Sequence, residues 1–248
     1  VQRISMSLSQ GTCLIYSIMI KGFSQYVNEQ YSNPQNLTNI QYGNPQKYQI
    51  DKINSGSDLY SEIKGTDLWK KWTENVPPLQ SSDEVKKAIE ELILLGASQT
   101  PEDHEFVRDA EHNMKEIFIK FLNLNGSDSI TKDDLKEITD QLDPITYGLK
   151  YLFNYPRPYQ LSGHLGLSLY PSQPTDACSP SYPSGHSIDS FVIGGLIGKK
   201  IPQLRNEVEK LSERISRSRL QGGIHFPFDA EFGRQIADDI LNLNILSL

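Results

Sequence analysis

Apolar side chains recur at helical spacing through most of this chain after residue 83, and no stretch alternates convincingly as a half-buried strand would. Val85, Ile89, Leu92, Ile93 and Leu95 share one face over 83–96, with Ser81 and Glu84 as a capping box ahead of them. Phe106, Ala110, Met114, Ile117, Phe118 and Phe121 share another over 102–122. Leu135, Ile138 and Leu142 predict a third helix over 132–142. A fourth is expected to start at Asp143-Pro144, an N-cap residue followed by a proline at the first helical position. Further helices fit 185–200, 203–221 and 229–245. The pattern predicts an all-α protein, a single-domain helical bundle.

The chain has 248 residues, 37% of them apolar, enough for one sizeable core. Residues 24–60 are rich in Asn, Gln, Tyr, Ser and Gly and show little periodicity. They are expected to form an irregular arm over the core, or to be partly disordered. The reading divides the chain into an irregular or helical N-terminal arm packed on the core, 1–75, and a helical domain, 76–248. Acidic residues outnumber basic ones, 31 to 24, and no basic stripe is present, which argues against a nucleic-acid partner. A small anionic substrate is still compatible, because a site needs only a few local cations.

"CLIYSIMI", residues 13–20, is far shorter than the roughly 20 residues that cross a bilayer, so no integral membrane segment is expected. As the core of a signal peptide it would lack a small-residue cleavage site, since Lys21 follows; a buried helix is the preferred reading. Cys13 and Cys178 stand outside any CxxC pattern, and one disulfide or two free thiols both fit. The compartment therefore stays open, with a periplasmic or secreted location among the options. The oligomeric state also stays open, a homo-oligomer among them.

Two features resemble metal sites without the ligands to make them. "NLNGSDSITKDD" has its glycine misplaced for a calcium loop and puts Asn or Ser where carboxylates belong; Thr131 capping the next helix through Asp134 is the simpler reading. His104 and His112 lie on one helix without an HExxH pattern and are expected on a solvated face. "SGH" at 162–164 is expected to be loop.

Three remaining segments join cations and histidines to tight turns. "KYLFNYPRP" places Lys150 near a helix end and holds Arg157 between Pro156 and Pro158, whose rings stiffen the backbone. "YPSGHS" carries Ser184, Gly185 and His186 into an apolar helix, whose first N–H groups are expected to face an anion. "SRLQGGIHFPFD" carries Arg219, His225 and Asp229. Two arginines, a lysine, a helix N-terminus and two histidines share one natural partner, a tetrahedral oxyanion, which arginine's forked donors suit well.

The order K-x6-RP, PSGH, SR-x5-H-x3-D resembles the three-part signature of the type 2 phosphatidic acid phosphatase and vanadium haloperoxidase superfamily. Lys150, Arg157, Pro158, Pro183, Ser184, Gly185, His186, Ser218, Arg219, His225 and Asp229 fill its positions. Through "SITKDDLKEI" and "IPQLRNEVEKLSERISRSR" the chain is most similar to the soluble bacterial class A acid phosphatases, over roughly residues 76–240. The resemblance implies a helical bundle of that type and a small phosphorylated substrate. It implies that Lys150, Arg157, Ser184, Gly185 and Arg219 bind phosphate, and that His225, His186 and Asp229 are catalytic. His225 would attack phosphorus, Asp229 would orient it, and His186 would act as acid and then base. No metal or other cofactor is required. The alternative it allows is a vanadium haloperoxidase, with vanadate held at His225.

Overall fold

The computed structural model describes residues 40–171 and 178–248. The "CLIYSIMI" stretch and Cys13 lie outside them, and with Cys13 the question of its pairing to Cys178. The described helices are α1 (Lys47–Asn54), α2 (Asp58–Ile63), α3 (Asp67–Glu74), α4 (Asp83–Ala97), α5 (Pro101–Leu124), α6 (Lys132–Phe153), α7 (Pro158–Ser162), α8 (Gly185–Lys200), α9 (Arg205–Gln221) and α10 (Pro227–Leu243). Short 3-10 turns at Gly163–Leu165 and Pro202–Leu204 join some of them. Among the described residues there is no strand, and the fold is all-α.

Helix α8 forms the centre. It is apolar nearly all round, burying Ile188, Phe191, Val192, Ile193, Leu196 and Ile197, as expected of a helix covered on every side. Helices α9 and α10 pack directly on it, and α6 supplies a further wall through Leu135, Ile138, Leu142, Ile145 and Leu149. The approach of α10 is very close. A Cβ on Gly233 would lie 2.8 Å from both the Ser184 carbonyl oxygen and Ser187 Cβ, so only glycine allows this contact.

Helix α6 corrects the expected boundary at Asp143-Pro144. It runs unbroken from Lys132 to Phe153 with Pro144 buried inside it. Pro144 withholds only the N–H that the Asp140 carbonyl would have taken. The apolar stripe continues across it through Ile145 and Leu149, and that packing outweighs the lost bond. The start of α6 matches expectation, since Thr131 Oγ1 accepts from the Asp134 N–H (3.2 Å) and Asp134 Oδ2 accepts from the Thr131 N–H (2.7 Å). The cap of α4 is Ser82, whose Oγ accepts from the Val85 N–H, rather than Ser81.

The described part of the N-terminal arm is helical in places and packs on the core. Helices α1 and α2 occupy part of 24–60, and Leu59, Ile63 and Trp72 belong to the common core. Trp72 Nε1 donates to Asp239 Oδ2 on α10 (2.9 Å). Helices this short show too few turns for periodicity to be visible. The stretch 162–164 ends α7 and begins a 3-10 turn rather than forming open loop.

Candidate active site

Each of the three segments enters the site from a helix end. Lys150 sits in the last turn of α6, which stops at Asn154 in the left-handed conformation (φ 46°, ψ 38°). Its buried Nζ donates to the carbonyls of Pro180 (2.6 Å) and Ser181 (3.2 Å). Arg157 is the N-cap residue of α7, with Pro158 next. Its Nε donates to the Ser179 carbonyl (2.9 Å), and its Nη1 donates to the Ile224 carbonyl (2.8 Å). The carbonyls of residues 179–181 thus fix two cations that lie seven residues apart in sequence.

Ser184 caps α8, its Oγ accepting from the Ser187 N–H (3.3 Å). Its own N–H donates to the Asp229 main-chain carbonyl (3.0 Å), which ties the second segment to the third. A Cβ on Gly185 would stand 3.2 Å from Thr146 Cγ2 and 3.8 Å from Lys150 Cε, so glycine lets the N-terminus of α8 close on α6. The half-buried His186 ring is hydrogen-bonded to the Glu111 main-chain carbonyl.

Helix α9 delivers Arg219 in its last turn and ends at Gln221; Gly223 then takes φ +69°, which turns the chain toward His225. Arg219 Nη2 donates to Glu111 Oε2 on α5 (2.6 Å), while its Nε and Nη1 are buried with no partner among the described residues. His225 Nδ1 lies 2.9 Å from Asp229 Oδ2, and His225 Nε2 lies 2.8 Å from Arg157 Nη1. Asp229 Oδ2 also accepts from the Phe226 N–H (2.9 Å) and from Ser181 Oγ.

These contacts settle the protonation of His225. A guanidinium has only hydrogens to offer, so Nε2 must carry the lone pair and Nδ1 the hydrogen that Asp229 accepts. Burial pushes the His225 pKa well below its usual value, and Arg157, Lys150 and Arg219 push it the same way. Burial lowers Lys150 strongly too, helped by Arg157. Burial raises Asp229 to about 6, opposed by its bonds from Ser181 and Phe226. His186 falls to about 3 through burial, then through the charge of Arg219. On α8 one turn further on, burial and the neighbouring Asp143 raise Asp189 to about 7.

A family model described as the PAP2 superfamily matches residues 142–237. Over that span the chain is similar to the PAP2 superfamily. Members of the PAP2 superfamily are phosphoric ester hydrolases, and the matched span holds all eight residues expected in the site. A search of curated proteins finds no match. Among the described residues no helix is long and apolar enough to cross a membrane, and no three His, Cys, Asp or Glu are grouped to hold a metal ion.

The structure brings Lys150, Arg157, Ser184, Gly185, His186, Arg219, His225 and Asp229 together. It adds two residues that the motifs do not mark. Ser181 lies three residues before Ser184, and its hydroxyl looks ordinary until Asp229 is seen to accept from it. Glu111 lies outside the PAP2 match, one acid among several on α5, and carries no signal in the sequence.

Proposed function

We propose that this chain hydrolyses phosphate monoesters through a phosphohistidine at His225. The observation that carries the reading is the Nε2 lone pair, fixed between Arg157 Nη1 and the Asp229-oriented ring. Phosphoryl transfer is mainly positioning and charge neutralisation, and the surrounding groups are suited to both. Lys150, Arg157 and Arg219 take the non-bridging oxygens, with Ser184 and the Gly185 N–H completing the cradle. As phosphate binds, Arg157 Nη1 passes from Nε2 to a phosphoryl oxygen and frees the lone pair.

Nε2 then bonds to phosphorus as the P–O ester bond breaks, and His186 gives its proton to the leaving oxygen. In the second half His186 takes a proton from water, whose oxygen bonds to phosphorus as the Nε2–P bond breaks. Inorganic phosphate leaves and His225 returns to its neutral form. His186 must be protonated for the first step, but Arg219 and Lys150 oppose its charge in the free site. An arriving phosphate dianion offsets those cations and raises the His186 pKa. Both effects favour work at acid pH, which supports an acid phosphatase.

The test is p-nitrophenyl phosphate hydrolysis from acid to neutral pH, with radiolabelled phosphoenzyme trapped in wild type and in His225→Ala. Hydrolysis with acid-labile label at His225, both lost in the variant, is expected. The same cations would hold vanadate at His225. Bromide oxidation by vanadate-loaded protein with peroxide, together with no ester hydrolysis by unloaded protein, would replace this reading with a haloperoxidase.

A further inference from the structure

Glu111 reaches the site from α5, outside the span that carries the other residues. Its carboxylate meets Arg219 Nη2 at 2.6 Å, with only 10% of its side chain and 2% of the arginine's exposed. A buried ion pair of this kind adds little net stability, because desolvation of both charges offsets their attraction. Its geometric consequence is larger. One amino group of the fork is anchored, and Nε and Nη1 are left as buried donors with no partner among the described residues. Two such donors on one planar group match an oxyanion.

The main-chain carbonyl of the same residue holds the His186 ring. An oxygen acceptor there fixes which ring nitrogen carries hydrogen in the neutral form, and it accepts equally well from the imidazolium. The other nitrogen is then the one that would exchange a proton with the leaving oxygen. Asn113 explains how a helical carbonyl can serve this purpose. It takes φ −128°, ψ 31° inside α5, where the helix is kinked. It lies within the hydrogen-bonded ring that the Glu111 carbonyl would close with the Lys115 N–H.

We infer that Glu111 is a positioning residue for phosphate-ester cleavage, holding Arg219 through its carboxylate and His186 through its main-chain carbonyl. The Arg219 half stands on geometry alone, and the His186 half rests on the phosphohistidine reading. The charged and titratable groups facing His186 are Arg219 on α9, Lys150 on α6, His225 before α10, and Glu111 itself.

The experiment compares Glu111→Ala and Glu111→Gln with wild type in the full chain. It measures calorimetric binding of inorganic phosphate, kcat and KM for p-nitrophenyl phosphate across pH, and Tm. E111A removes the anchor and is expected to weaken phosphate binding about ten-fold or more, the scale of one charge-assisted hydrogen bond. E111Q keeps an acceptor oxygen for Nη2 and should retain wild-type or tighter binding. Without the negative charge, however, its kcat limb for protonated His186 should fall by about half a pH unit or more. Wild-type phosphate binding in E111A, or an unshifted limb in E111Q, overturns the assignment. Should E111A fail to fold, the E111Q profile decides. Should wild type cleave no phosphate ester, the proposed function fails, while the calorimetric comparison still tests the hold on Arg219.

Discussion

His225 Nδ1 donates to Asp229 Oδ2 across 2.9 Å, and the same carboxylate oxygen accepts from the Phe226 N–H and Ser181 Oγ. Three donors on one oxygen define the side of the ring that holds the hydrogen. In Asp229→Asn an amide can present N–H toward His225 and turn the tautomer over, leaving hydrogen on the attacking nitrogen. The expected result is a fall in kcat of about a hundred-fold or more, as when the orienting acid of other triads is neutralised. Steady-state rates on p-nitrophenyl phosphate check this, with circular dichroism to confirm the fold. A variant within a few-fold of wild type would remove Asp229 from the mechanism.

A second expectation concerns Gly233, which touches no substrate. An added methyl would press on the Ser184 carbonyl oxygen and on Ser187 Cβ, each at 2.8 Å, and the first is backbone that cannot swing away. Gly233→Ala should therefore push α10 from the start of α8, costing about 1–3 kcal/mol. The shift strains the Ser184 N–H bond to the Asp229 carbonyl, so activity should drop along with Tm. Urea unfolding and KM are the measurements, and a variant unchanged in both would show that the contact is looser than described.

The buried and half-buried titratable groups set opposing trends in stability with pH. His186 is depressed from 6.5 to about 3 and His225 is also depressed, so between those values the unfolded chain binds protons that the folded one refuses. Their contribution is present above about 6.5 and is lost as pH falls. Asp189 and Asp229 are raised from 3.8 to about 7 and about 6, so theirs is full below 3.8 and is lost as pH rises through those values. The two pairs nearly cancel across about pH 4–6. His186→Gln should therefore gain stability relative to wild type as pH falls from 6.5, by at most about 1.4 kcal/mol per pH unit. Asp189→Asn should gain in the opposite direction, as pH rises from about 4. Urea midpoints at pH 4.5 and 7 give the sign of each, and a constant offset from wild type would contradict the burial of the group replaced.

These expectations depend unequally on what the sequence displays. The eight motif residues could be read in advance because each brings unusual local chemistry: prolines around Arg157, a glycine before His186, glycines ahead of His225. Glu111 could not, because its partner Arg219 lies 108 residues away and its neighbours on α5 are equally acidic. The same holds for the loop carbonyls of residues 179–181, since every residue has one and only the fold decides which are used. Asp143-Pro144 misled for a related reason. Its local chemistry does suit a helix start, and tertiary packing of Ile145 and Leu149 overrode it.

The final expectation follows from three cations, Lys150, Arg157 and Arg219, gathered around the two histidines. Arg219 has two buried donors without a partner among the described residues, and burial with Arg157 nearby pushes the Lys150 pKa strongly down. Inorganic phosphate or vanadate should therefore bind and stabilise the folded chain. At a concentration one hundred times Kd the gain is about 2.7 kcal/mol, visible as a Tm that climbs with ligand. An anion beside Lys150 and His186 also raises both pKa values, so binding should take up protons. Calorimetry at one pH in two buffers of different ionisation enthalpy measures that uptake directly. Arg219→Ala should bind phosphate more weakly while still taking up protons, because Lys150 and His186 remain. A Tm indifferent to both oxyanions would mean that these cations do not form an anion site.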